Sequence, residues 1–190
     1  MSIILASQSP RRKALLEQMG ITDFQVIPAQ GEEKMDHYLP KEQLAQELAR
    51  QKAAQVAAQV GPEDIVIGAD TIVVLDGKVL GKPENQASAF RMLSSLSSRR
   101  HTVYTGVAVR QGEREMTACE ATSVRFCNLT EREILDYIAT GEPMDKAGAY
   151  GIQGRGALLV DSIQGDFYNV VGLPICRLGR MLAGFGVYCL

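Results

Sequence analysis

No run of apolar residues in this chain approaches the roughly 20 needed to cross a bilayer, so a membrane partner is not expected. The N-terminal residues have no basic stretch ahead of a long apolar region and no small-residue cleavage pattern. A signal peptide is therefore not expected, and the reading is a soluble, cytoplasmic protein. Cys119, Cys127, Cys176 and Cys189 form no C-x-x-C pair, and only His37 and His101 add imidazole. This argues against a structural zinc site and for reduced thiols. The net charge of -2 leaves no electrostatic footprint for nucleic acid, so any phosphate must be met by a local cluster. The phosphate-loop pattern G-x-x-x-x-G-K-[ST] does not occur, nor do repeats or low-complexity linkers.

What is present suits one well-buried core: 190 residues with 46% hydrophobic and 22% charged residues, read as a single domain over 1–190. Ile3 to Leu5 read as a short strand. Ala14, Leu15 and Met19 mark an apolar helical face that stops at Gly20. FQVIP reads as a strand, and AQGEEKMDHYLP as a polar loop. KEQLAQELARQKAAQVAAQVG reads as a long alanine-rich helix. IVIG is continuous enough for a strand buried on both faces, and Asp76-Gly77 between apolar stretches signals a hairpin turn. ENQASAFRMLSSLSS reads as a helix, and HTVYTGVAVRQ with REMTACEATSVRFC as an antiparallel pair turning near Gly112. Thr130 and Glu133 form a capping box. EPMDKAGAYGIQGRG reads as a glycine-dense loop, ALLVDSI and FYNVVG as strands, and Pro174 as the start of a last helix. The sum is an α/β fold with a mixed sheet.

Four places carry chemistry. In SQSPRR, Ser9 is a good N-cap and Pro10 suits the first helical position, which puts Arg11 and Arg12 in the first turn. That turn has exposed N–H groups and about half a positive charge, so a cation there is disfavoured by roughly 0.3 to 1 kcal/mol. Two readings stay open: the arginines swing into solvent, or hydroxyls, N–H groups and guanidinium forks converge on a phosphate. Lys52 falls within an apolar arc formed by Leu44, Leu48, Val56 and Val60, widened by Ala45, Ala49 and Ala53. It either snorkels past the core edge or reaches a polyphosphate. Asp70, between Gly68 and Thr71 near a strand end, either caps a turn or meets a divalent cation. The hairpin returns Lys78 and Lys82. In the glycine loop, Gln153 offers a donor and an acceptor to a base edge.

Taken together and in order, LASQSPRR, IVIGADTIVVLDGKVLGKP and DKAGAYGIQGRGA resemble the Maf family of nucleoside triphosphate pyrophosphatases over essentially the whole chain. The resemblance implies a mixed twisted sheet with flanking helices, two lobes around a cleft, similar to the inosine triphosphate pyrophosphatase fold. It implies hydrolysis of a nucleoside triphosphate to monophosphate and pyrophosphate with a divalent metal, Mg2+ or Mn2+, and suggests a homodimer. Carried over by position, Ser9 and Arg12 match the family's phosphate-binding start motif, Lys52 and Lys82 its phosphate-side lysines, and Asp70 its catalytic carboxylate. Arg11 joins the same basic set. Glu33 falls where the family has an acidic residue near the metal, with Glu32 beside it. Arg12, Thr71 and Gln153 match positions that separate subgroups. DKAGAYGIQG resembles the subgroup acting on dTTP and UTP, while the 7-methyl-GTP subgroup has an acidic residue in place of this glutamine. The implied role is nucleotide-pool house-cleaning, extending to modified uridine or cytidine triphosphates. The alternative is a non-catalytic nucleotide-binding regulator of cell division.

The chemistry of the residues agrees. Uracil and thymine present a ring N–H beside carbonyls, which a carboxamide answers with one acceptor and one donor, whereas cytosine lacks that N–H. An ordinary aspartate has a pKa of about 3.9, so Asp70 either has it raised by burial or orients a water that a metal has acidified.

Overall fold

The computed structural model describes residues 1–31, 34–36 and 38–190. Among these, the strands are β1 (Ile3–Leu5), β2 (Gln25–Val26), β3 (Ile65–Leu75), β4 (Lys78–Leu80), β5 (Arg100–Gln111), β6 (Arg114–Phe126) and β7 (Val160–Gln164). The helices are α1 (Pro10–Gln18), α2 (Lys41–Ala57), α3 (Gln86–Leu96), α4 (Glu131–Ala139), α5 (Phe167–Val171) and α6 (Ile175–Ala183). The strands form one sheet in the order β2-β1-β3-β5-β6-β7, with β4 also paired to β3. The sheet is mixed: β1 lies parallel to β2 and β3, while β4 and β7 lie antiparallel to β3 and β6. The expected mixed-sheet α/β fold is thus observed. No helix among the described residues is long and apolar enough to cross a membrane.

The chain divides into two compact units. The first comprises Met1–Asp70, Thr105–Glu120 and Gly172–Leu190. Its centre is the parallel pair β1–β3, where Ile4, Leu5, Ile65, Val66 and Ile67 are all buried, as a strand covered on both faces requires. Helix α2 covers this pair with Leu44, Ala45, Leu48, Ala49, Ala53 and Val56, the face read from the sequence. Burying each of the two leucines contributes roughly 2 kcal/mol. Two glycines let this helix approach the sheet backbone to backbone. A Cβ on Gly68 would lie 2.4 Å from the Ala49 carbonyl oxygen, and one on Gly106 only 2.0 Å from that of Ala45.

The second unit comprises Thr71–Tyr104 and Ala121–Val171. Its core gathers Leu93, Leu96, Val103, Val124, Phe126, Ile134, Tyr137, Ile138 and Tyr150. Asn85 caps α3 and Thr130 caps α4, each through a reciprocal capping box, so both helices begin where a side chain satisfies their free N–H groups. His101, Phe126 and Tyr150 meet edge to face, with ring centroids 4.7 to 5.3 Å apart. The His101 Nε2 shares a 2.7 Å hydrogen bond with the Tyr150 hydroxyl. Burial pushes the pKa of this imidazole down to about 4, because the charged form would lose its hydration.

Several elements depart from the sequence expectations. FYNVVG is not a strand but helix α5. The segment reads as a strand, yet Asp166 accepts a hydrogen bond from the Tyr168 N–H at the start, and Gly165 and Gly172 have φ of +131° and +121° at the two ends. Those turns leave room for little more than one helical turn. The segment Gly154–Leu159 winds as a 3-10 helix, which delays the start of β7 to Val160. In α1 the buried face is Leu15 and Leu16, with Ala14 exposed. Asp70 does not end a strand, because β3 continues unbroken to Leu75 with Ile72 to Leu75 also buried.

Candidate functional site

The first unit holds five of the residues singled out from the sequence: Ser9, Arg11, Arg12, Lys52 and Asp70. Ser9 is the N-cap of α1, with extended backbone angles and a long 3.5 Å hydrogen bond accepted by its Oγ from the Arg12 N–H. The Arg12 side chain does not swing into solvent. It is 9% exposed, its Nε donates to the Gly172 carbonyl at 2.7 Å, and its Nη1 donates to the Ser7 Oγ at 3.1 Å. Ser7 Oγ also accepts from the Ser9 N–H at 3.3 Å. The carbonyl and the hydroxyl offset the cost of a cation at the positive end of a helix. Arg11 is half-buried beside it.

Lys52 and Asp70 form an ion pair between the Nζ and Oδ1, with side-chain exposures of 16% and 13%. The fold explains why they meet. Asp70 lies two residues beyond Gly68, so the two share one face of β3, and Gly68 is where α2 touches the strand. Lys52 sits next to Ala53 and one turn beyond Ala49, the two residues against Gly68, so its stem follows the helix face down to the carboxylate. The Lys52 stem is thus largely covered, and its ammonium is paired with Asp70 rather than turned to solvent. Ser7 leaves β1 two residues after Leu5, whose partner in the parallel register is Ile67. Ser7 thus lies two residues past Leu5 and Asp70 three residues past Ile67, both just beyond the paired stretch of these neighbouring strands.

As a metal ligand set, this region supplies Asp70. Among the described residues no three of His, Cys, Asp or Glu come together, and Glu33 lies outside them, as do Glu32 and His37. Magnesium is commonly held by one or two carboxylates, with phosphate oxygens and water completing the shell. One carboxylate therefore fits a cation that arrives with a polyphosphate.

The second unit holds Thr71, Lys82 and Gln153. Thr71 is half-buried on β3, directly after Asp70. The turn between β3 and β4 has φ of +50° at Asp76 and +75° at Gly77, the mirror-image hairpin turn that an Asp-Gly pair favours. Lys78 and Lys82 are exposed on the returning segment. The Gly148 N–H donates to the Gly81 carbonyl at 3.0 Å, which ties the residue before Lys82 to the glycine-rich loop.

Gln153 is exposed at the N-terminal end of the 3-10 segment Gly154–Leu159. Its backbone is pinned on both sides. The Gly151 N–H donates to the Tyr137 hydroxyl at 3.3 Å, while the N–H groups of Arg155 and Gly156 donate to the two carboxylate oxygens of Glu142 at 3.2 and 3.3 Å. Burial foremost, and the neighbouring Glu142 carboxylate, push the Tyr137 phenol pKa up to about 12. Gly156 packs so closely that a Cβ there would lie 2.1 Å from the Gly151 carbonyl oxygen, which explains a glycine at this position.

Sequence reasoning missed Ser7, Gly172, Tyr137 and Glu142. Gly172 was hidden by reading its segment as a strand. Tyr137 falls in the segment after the Thr130–Glu133 capping box and Glu142 in the stretch read as a glycine-dense loop, and neither breaks a local pattern. The signal for both was the glycine density of residues 148–156, which shows that a backbone lies against something.

Comparisons with known proteins follow the same line. The description "Maf-like protein" matches residues 2–185. The chain is 52% identical over 187 residues to a dTTP/UTP pyrophosphatase of Moorella thermoacetica, covering 97% of this chain and 95% of that one. It is 51% identical over 185 residues to a dTTP/UTP pyrophosphatase of Bacillus velezensis, covering 97% of each. Among solved structures, a HAM1 protein from Coxiella burnetii shares the fold with a TM-score of 0.56 at 15% identity, over 97% of this chain and 99% of that one. A match over nearly all residues, joined to half-identity with full-length relatives, places this chain in the Maf family.

Proposed function

We propose that this protein hydrolyses dTTP and UTP to the corresponding monophosphates and pyrophosphate in the presence of a divalent cation. The observation that carries the reading is the Lys52–Asp70 pair, set by the contact of α2 on Gly68, in a chain half-identical to relatives named for this activity. Water attacks the α-phosphorus, the bond from that phosphorus to the bridging oxygen breaks, and pyrophosphate leaves. Asp70 orients the attacking water and accepts its proton, directly or through solvent. Ser9, Arg11, Arg12 and Lys52, with Lys82, take the charge of the triphosphate and the charge that grows on the leaving group. A divalent cation bound by Asp70, with Glu33 as the second carboxylate implied by the family resemblance, would polarise the phosphate and lower the pKa of the attacking water.

Gln153 reads the base. Its amide answers the ring N–H and a neighbouring carbonyl of uracil or thymine, and Thr71 lines the same selection. As a hypothesis, Gln153→Glu exchanges the amide donor for a second acceptor and should weaken turnover of dTTP and UTP far more than triphosphate binding. Modified uridine triphosphates belong to the same reading: a higher kcat/KM for a 5-substituted uridine triphosphate than for UTP would make the modified nucleotide the better substrate.

The test is release of pyrophosphate from dTTP, UTP, CTP, dATP, GTP and 7-methyl-GTP with magnesium or manganese, and with EDTA. Cleavage that needs metal and falls mainly on dTTP and UTP is the expected result. Binding of these nucleotides without cleavage of any would overturn the enzymatic reading in favour of a nucleotide-responsive regulator.

A further inference from the structure

A carboxamide is an ambiguous reader. Turned one way, its oxygen and nitrogen match the ring N–H and carbonyl of uracil; turned by half a rotation they match the ring nitrogen and amino group of cytosine. Gln153 therefore distinguishes these bases only if the residue is held in one place and one order, yet its side chain is exposed and reaches out through three rotatable bonds. Position and direction must come from the backbone. The network around residues 151–156 supplies that constraint: the Gly151 N–H on the Tyr137 hydroxyl, and the Arg155 and Gly156 N–H groups on the Glu142 carboxylate. Phenol and carboxylate meet at Gly156, whose N–H donates to Glu142 and where a Cβ would lie 2.7 Å from the Tyr137 hydroxyl oxygen, so the three backbone groups rest on adjoining supports.

The loop cannot shift without breaking this support. Gly154 has φ of +66°, and a Cβ there would lie 2.9 Å from the Glu142 Oε1. Glu142 is itself fixed from below: its own N–H donates to the Thr140 Oγ1 at 3.1 Å, and its carbonyl accepts from the Lys146 Nζ. That lysine also pairs with Asp145 at 2.6 Å. Tyr137 is 4% exposed and lies on the buried face of α4 with Ile134 and Ile138, so the hydroxyl is delivered by a helix that the core holds.

We propose that Glu142 and Tyr137 are positioning residues for base selection. They touch no substrate; they hold the turn that carries Gln153, and so convert an ambiguous amide into a directional one. This inference rests on the reading of Gln153 as the base-contacting residue.

The experiment measures kcat/KM for UTP and CTP in the wild type, Glu142→Gln, Tyr137→Phe, Gln153→Ala and the double variant Glu142→Gln/Gln153→Ala. Both substrates are run on the same preparation, so any loss of folded protein cancels in the ratio. Glu142→Gln and Tyr137→Phe should each lower the UTP:CTP ratio by about tenfold, with the loss falling on KM for UTP more than on kcat. Gln153→Ala should lower it at least as much. Adding Glu142→Gln to Gln153→Ala should change the ratio no further, because the support acts only through that side chain. If Gln153→Ala collapses the ratio while Glu142→Gln and Tyr137→Phe leave it at the wild-type value, the positioning role is wrong and the base reading stands. A ratio untouched by Gln153→Ala removes the base reading and this inference with it.

Discussion

In the first unit the residues singled out from the sequence are charged side chains that are mostly buried, paired and carried by regular elements: Arg12 in the first turn of α1, Lys52 on α2, Asp70 on β3. In the second unit the most informative of them, Gln153, is neutral and exposed, and sits on a turn held by hydrogen bonds to its neighbours' backbone. The difference is one of what must be held. A charge acts over several ångströms, so a helix and a strand in contact give sufficient accuracy. A hydrogen-bonded reader of a base edge fails when displaced by about 1 Å, so its backbone has to be fixed locally. The first region invests in buried charge, the second in glycines and a phenol–carboxylate support.

The sharpest way to break this comparison is Asp70→Asn. It should lower kcat by about a thousandfold or more for every nucleotide, with the circular dichroism spectrum retained. Substantial residual turnover would remove Asp70 from the reaction. Next in size is the paired test Gly106→Ala against Gly156→Ala, followed by urea unfolding and by the UTP:CTP ratio. The first forces a methyl group against the carbonyl of Ala45 in a helix that cannot yield, and should cost about 3 kcal/mol of stability. The second meets the carbonyl of Gly151 within the pinned turn that carries Gln153, where only the hydrogen bonds to Tyr137 and Glu142 need break to make room, and should cost less stability but more base selectivity.

A pH series probes the second unit's core by itself. His101 titrates near 4 in the folded protein against about 6.5 when unfolded, so the unfolded chain binds more protons between these values. Its contribution to stability is complete above about pH 6.5 and is lost as pH falls toward 4, by roughly 3 kcal/mol. Unfolding midpoints in urea from pH 7 to 4 should show that slope, and His101→Gln should flatten it. The smallest expected effect is on stability in Lys52→Met, about 2 kcal/mol, because Asp70 then loses the cation beside its largely buried carboxylate.

The two regions also differ in how far they could be read from the sequence. Lys52 and the two arginines announce themselves because each breaks a local pattern: a cation within an apolar arc, and cations at the positive end of a helix. Even so, the sequence did not give the partner of Lys52, since the meeting with Asp70 depends on Gly68 lowering α2 onto β3. The strand reading failed at FYNVVG, where Gly165 and Gly172 bracket a short helix and the carbonyl of Gly172 accepts from Arg12. Around Gln153 the glycines were visible, but a hydrogen bond between a backbone N–H and Glu142 leaves no periodicity behind.

The division of labour between the two regions is tested most directly by one set of kinetics: kcat/KM for UTP and CTP in the wild type, Lys52→Met and Gln153→Ala. Lys52→Met should lower both substrates by the same factor and leave their ratio as it is, while Gln153→Ala should lower UTP selectively and bring the ratio toward unity. A Lys52→Met enzyme with an altered ratio, or a Gln153→Ala enzyme that loses both substrates equally, would contradict it.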